Sequence, residues 1–134
     1  MILGVGVDLV EVGRLERAVS RHGESFLAEI LSAREIDRFR RSSRFLCACA
    51  GAFAAKEALF KALGTGRTGR VSWLDAEVAG SETSPRLELF GEIARMAADR
   101  GVGRVLVGLA QAGHLAVAMV VLDGASPRAE TGRG

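Results

Sequence analysis

Cysteine is nearly absent from this chain: Cys47 and Cys49 are the only two, and they stand one residue apart. That spacing suits neither an ordinary disulfide nor a four-ligand zinc site, so a disulfide scaffold and a zinc module are both excluded and the thiols are expected to be reduced. An uninterrupted apolar run is also missing. The longest candidate, from Val105 to Leu122, is broken by glycine, glutamine and histidine and lacks the uniformity of a spanning helix. The apolar start from Met1 to Val7 has no basic flank, and Asp8 cuts it before a secretory core forms, which sets a cytoplasmic expectation. There is no strong excess of charge either: 18 basic and 16 acidic residues leave a net charge of +2, too mild to argue for nucleic acid. No internal repeat of solenoid period is visible.

What is present is a globular balance, 49% hydrophobic and 25% charged, in 134 residues. That length supports one core of ordinary size. Residues 2–10 read as a strand, with Val5, Val7 and Leu9 alternating with Gly4, Gly6 and Asp8. The glycines share a face with Asp8 and leave room there for another backbone or a ligand to come close to the carboxylate. A helix is expected over residues 11–21, with Arg14, Arg17 and Arg21 forming a stripe, and it ends at His22 and Gly23. Ser32 followed by Glu35 is a capping-box pattern that should open a second helix carrying Ile36 and Phe39 inward. Residues 44–63 favour a long helix stopped by Gly64. Strands are expected at 72–78 and 86–90 around a turn at 80–85, then a helix at 92–100, then a hairpin of strands 104–110 and 114–122. This pattern predicts an α+β domain spanning residues 1–123, with 124–134 as a flexible tail.

The chemistry concentrates on the long helix. Glu57 and Lys61 are four residues apart and project from one face; on their own they make an ordinary helix pair worth about 0.3 to 0.5 kcal/mol. Asp8 on a strand face cleared by glycine changes the weighing. Two carboxylates meeting there could hold magnesium, which takes one or two protein carboxylates, keeps waters and completes its shell with substrate phosphate. An ammonium at Lys61 would neutralise phosphate charge left uncovered.

The segments GVDLVEVGRLE, residues 6–16, and GAFAAKEALFKALGTG, residues 51–66, together resemble the paired motifs of the holo-acyl-carrier-protein synthases, the AcpS type of 4′-phosphopantetheinyl transferase. The resemblance covers about residues 2 to 122. It implies the fold of that family, an antiparallel sheet wrapped around a long helix, assembled as a homotrimer with active sites between subunits. It further implies transfer of phosphopantetheine from coenzyme A to a serine of apo acyl carrier protein, in fatty-acid synthesis or a secondary pathway, with release of 3′,5′-ADP. Asp8 and Glu57 match the magnesium carboxylates, and Glu57 is the usual candidate base. Lys61 matches the phosphate lysine, and Gly64 and Gly66 match the glycine loop near the nucleotide. Arg14, Arg17 and Arg21 occupy the stretch that faces the acidic carrier protein. The chain departs from the pattern at Gly108, Leu109, Ala110 and Gln111, where the family usually carries Ser-x-Ser/Thr-His, and at Ala52, where arginine is common. Gln111 keeps hydrogen-bonding capacity at the nucleotide position without the histidine's titration. A non-catalytic relative that binds a carrier protein without transferring the group is the alternative reading.

Overall fold

The long central helix of the chain is packed on nearly every side. In the computed structural model, which describes residues 1–65 and 71–124, the elements run β1 Ile2–Glu11, α1 Val12–His22, α2 Ser25–Ile30, α3 Ala33–Phe39, α4 Phe45–Leu63, β2 Ala76–Gly80, β3 Pro85–Leu89, α5 Gly91–Asp99, β4 Val102–Ala112 and β5 Leu115–Gly124. β1, β5 and β4 form an antiparallel sheet in that spatial order, and β2 pairs with β3 as a separate hairpin. The three-stranded sheet lays one face along α4, so the architecture is the expected α+β one. Gly124, expected to open the tail, instead belongs to β5, opposite Val102; residues 125–134, where the rest of that expected tail falls, and Gly66 lie outside the described residues.

Two elements differ from expectation. β2 starts at Ala76 rather than residue 72, because Ser72 caps a single 3-10 turn, Trp73–Asp75, in which its hydroxyl accepts from the Leu74 N–H at 3.0 Å and Asp75 accepts from the Ser72 N–H at 3.3 Å. α2 was not expected at all. It is six residues long and has no side-chain cap, so neither periodicity nor a start signal marks it; the burial of Leu27 and Ile30 holds it in place. The capping box of α3 is present as expected, with the Glu35 N–H donating to Ser32 Oγ at 3.1 Å and the Ser32 N–H donating to Glu35 at 2.8 Å. Ile36 and Phe39 pack against the core and remain partly exposed.

α4 has little amphipathic contrast because it is apolar around most of its circumference. Its one charged residue in the core is Lys56, which is fully buried. The ammonium donates to Ile30 O at 2.7 Å, at the end of α2, and to Glu35 Oε1 at 2.8 Å on α3, while Glu35 Oε2 accepts from the Val78 N–H of β2 at 2.7 Å. One ion pair thereby ties four elements together. Burial pulls the Lys56 ammonium below its ordinary value, and the Glu35 carboxylate pulls in the opposite sense. Substituting Lys56→Met strands the Glu35 charge and should cost about 3 to 5 kcal/mol in a urea titration. Adding Glu35→Gln, which removes that charge and keeps an acceptor for Val78, should recover a substantial part of the loss. Equal destabilisation in the single and double variants would show that charge burial is not the cause.

Candidate active site

β1 reaches α4 because it has no side chains in the way. A Cβ on Gly6 would lie 1.9 Å from Ala58 O, and one on Gly4 would lie 2.2 Å from Ala62 O. The face opened by these glycines is therefore filled by the helix backbone, the first of the two occupants expected from sequence. The usual burial pattern is inverted in consequence: Gly6 and Val10 face the helix, whereas Val5, Val7 and Leu9 are 53%, 50% and 58% exposed on the other side.

Asp8 follows Gly6 on the helix-facing side, where α4 presents Lys61. The Lys61 ammonium donates to Asp8 Oδ1 at 2.7 Å and to the Val7 carbonyl at 3.3 Å. The hydrogen bond and charge of Asp8 push the Lys61 ammonium above its ordinary value, with Glu57 adding in the same direction. Asp8, Glu57 and Lys61 therefore share one corner of the fold, and Glu57, half-buried one turn before Lys61, acts electrostatically on the same ammonium. The second Asp8 oxygen, Oδ2, is buried and has no hydrogen-bond partner among the described residues. Buried acceptors without a partner are rare in native structures, and an anionic one invites a cation. Among the described residues no third histidine, cysteine or acid joins Asp8 and Glu57. Such a carboxylate pair has the oxygen chemistry and low ligand count that suit magnesium.

An aromatic group that sequence reading missed stands beside this corner. The ring of Trp73 packs against Phe53 and Phe60, each with centroids 5.1 Å away. Phe53, Glu57 and Phe60 follow one helical face, so the indole bridges the two rings across the turn that carries Glu57. Only the apolar character of Trp73 signalled it, and a strand reading of residues 72–78 hid the turn that aims it.

A cleft of about 420 Å³ opens between the N-terminal half of α4, the β2–β3 hairpin and the end of β4, and Asp8, Glu57 and Lys61 are not among its lining residues. Its α4 side is small and apolar, with Ala48, Gly51 and Ala52; Arg38 and Arg44 stand at its margin, and Gln111 and Ala110 line it from β4. The sheet register links cleft and carboxylate: Asp8 is opposite Ala118, which is opposite Leu109, so Asp8 and Leu109 share a sheet face about 10 Å apart, two strand spacings. Gly108 belongs to the opposite, outward face. Gly64 takes the left-handed conformation, with φ of 74°, that ends α4.

Arg14, Arg17 and Arg21 are exposed on α1, which buries only Leu15. Arg17 pairs with Glu11 at 3.3 Å, and Arg14 and Arg21 have no ion-pair partner among the described residues. His114 lies 3.9 Å from Glu11 at the β4–β5 turn, away from the cleft lining.

Residues 4–118 match the family model of the 4′-phosphopantetheinyl transferase superfamily. A holo-[acyl-carrier-protein] synthase of Desulforudis audaxviator is 44% identical over 128 residues, covering 94% of this chain and 96% of that protein. The chain belongs to the holo-[acyl-carrier-protein] synthase family. Among solved structures it is similar to the family member from Neisseria meningitidis, with a TM-score of 0.84 and 29% identity over 92% of this chain and 99% of that one. It is also similar to the Bacillus anthracis synthase in complex with coenzyme A (3′,5′-ADP), with a TM-score of 0.74 and 34% identity over 93% and 99% of the two chains. The fold expected from the motif resemblance is thus the fold found.

The two cysteines have separate environments. Burial pushes the Cys49 thiol up to about 12, whereas Cys47 is half-buried and lines the cleft. Thiolate is the reactive form, so at pH 8 an alkylating reagent should modify Cys47 and leave Cys49 untouched until the protein is unfolded. Peptide mass mapping of native and urea-treated samples checks this; rapid native labelling of Cys49 would contradict the burial described.

Proposed function

We propose that this protein transfers 4′-phosphopantetheine from coenzyme A to a serine of an apo acyl carrier protein and releases 3′,5′-ADP. The observation that carries the reading is the Asp8 carboxylate, which has one oxygen on Lys61 and the other buried without a partner, beside Glu57 and in a chain of this family. A non-catalytic relative that kept only a carrier-binding surface has no use for an unsatisfied buried carboxylate oxygen, which costs about 1 to 3 kcal/mol or more.

In this reading Asp8 and Glu57 hold a magnesium ion, whose chemistry is to offset the charge of the coenzyme A pyrophosphate. Lys61 binds phosphate. Its proton affinity is raised by Asp8, so it remains an ammonium at neutral pH and serves as a fixed positive charge, not as a base. Glu57 then receives the proton of the carrier serine hydroxyl as the serine oxygen bonds to the β-phosphorus and the bond from that phosphorus to the 3′,5′-ADP oxygen breaks. Gly64, with Gly66 beyond the described residues, brings backbone near the nucleotide, and Gln111 offers its amide at the cleft. Arg14, Arg17 and Arg21 steer an acidic carrier protein to the site.

The outward sheet face favours self-association, in line with a homotrimer. Val5, Val7, Leu9, Leu106 and Met119 are all at least 42% exposed on β1, β4 and β5. Monomeric proteins rarely leave such a contiguous apolar patch uncovered. The enzyme is read as cytoplasmic; among the described residues no helix is long and apolar enough to cross a membrane.

Mixing the protein with apo carrier protein, coenzyme A and magnesium should give the phosphopantetheine adduct by intact mass. Glu57→Ala should slow its formation at least ~100-fold, the scale of general-base catalysis, and chelation should stop it. Arg14→Glu should raise the KM for carrier protein in a salt-sensitive way. An adduct formed at an unchanged rate by both Asp8→Ala and Glu57→Ala would remove these residues from the site. In sedimentation, the protein should run as a multiple of the chain mass, and Val7→Glu with Met119→Glu should reduce it towards a single chain; a monomeric wild type would refute the assembly.

A further inference from the structure

The C-terminal end of α4 is held by a side chain that neither motif contains. The last four carbonyls of an α-helix have no partner within the helix. Here the glycine cap supplies two donors: the Gly64 N–H reaches Lys61 O at 3.1 Å, and the Thr65 N–H reaches Phe60 O at 3.2 Å. The other two carbonyls are met by Arg100, just past the end of α5. Its Nη1 donates to Leu63 O at 2.6 Å and approaches Ala62 O at 3.4 Å. Its Nη2 donates to Leu3 O at 3.1 Å. Leu3 falls where the pairing of β1 with β5 shifts register between Ile2 and Gly4, so its carbonyl belongs to the irregular step of the ladder. One guanidinium thus fastens α5 to the end of α4 and to the start of β1.

We propose that Arg100 is a positioning residue for coenzyme A binding. The two carbonyls it clamps lie between Lys61 and Gly64, the residues that the functional reading assigns to phosphate and nucleotide, and the inference rests on that reading. Arg100 itself is exposed, and its hydrogen bonds among the described residues go to backbone carbonyls rather than to Asp8, Glu57 or Lys61, so it acts through the backbone it holds. A positive group at a helix C-terminus is favourable on electrostatic grounds as well. The planar fork of arginine spans three carbonyls at once; the single ammonium of lysine does not. Loss of the clamp frees the turn after Lys61 and loosens the backbone that meets the nucleotide, leaving the carrier-protein surface on α1 as it was.

The test is a steady-state comparison of wild type, Arg100→Ala and Arg100→Lys, each checked for thermal unfolding. Arg100→Ala should raise the KM for coenzyme A about tenfold, the scale of one lost charge-assisted hydrogen bond, with the KM for carrier protein unchanged. Arg100→Lys should fall between the two. Millimolar guanidinium chloride should lower the coenzyme A KM of Arg100→Ala where sodium chloride does not, a rescue that general destabilisation would not show. An unchanged coenzyme A KM in a folded variant, or an equal rise in both KM values, overturns the proposal; should Arg100→Ala fail to fold, Arg100→Lys decides by the same measures. If wild type forms no adduct, the functional reading has failed. The clamp is then read by hydrogen exchange, where the Gly64 and Thr65 amides should exchange at least tenfold faster in the folded variant, and unchanged exchange rejects it.

Discussion

The site depends on how closely a strand and a helix can approach. Gly4 and Gly6 let β1 lie with its backbone against the carbonyls of Ala62 and Ala58, closer than any residue with a Cβ could come. That contact places Asp8, two residues past Gly6, within 2.7 Å of Lys61, and it buries the remaining carboxylate oxygen. A larger residue at either glycine would move the carboxylate away from the helix that completes the site. The glycines cost strand stability in isolation, and the packing of α4 over the whole sheet offsets it.

α4 carries polar groups on two sides, for two different purposes. Lys56 faces inward to Glu35 and gathers α2, α3 and β2 around the helix. Glu57, the next residue, is half-buried on the side of the Asp8 corner, and Lys61 follows it by one turn. A 100° step along the helix therefore separates the group that holds the fold from the groups proposed to meet substrate. The cleft depends on the first: its β2–β3 wall includes Val78, whose N–H donates to the Glu35 carboxylate.

Much of this was legible in the sequence because local rules and tertiary demands agree. The capping box of Ser32 and Glu35, the stop at Gly64 and the alternation in β1 each announce their element, and Asp8, Glu57 and Lys61 announce the corner. The rest depended on distant partners. Lys56 sits in the same run as Glu57 and reads as one more helix charge; only the burial of Glu35, 21 residues away, reveals its role. Arg100 is an ordinary helix-terminal arginine until the ends of α4 and β1 are seen beside it. The strand expected at residues 72–78 was displaced by Ser72 and Asp75, whose reciprocal capping wins over β propensity for one turn. Val5, Val7 and Leu9 alternate correctly, but periodicity gives the face and not its burial, and here the glycine face is the covered one.

The two lysines of α4 show why the division of labour holds. They are the same residue type on the same helix, and their environments displace them in opposite directions: burial lowers Lys56, and an exposed position beside Asp8 raises Lys61. A lysine in the second situation gives up its proton less readily than one in water, so it cannot serve as the acceptor for a serine hydroxyl near neutral pH. It can only stand as charge. In the proposed reaction the proton of the serine hydroxyl therefore goes to a carboxylate, the role given above to Glu57.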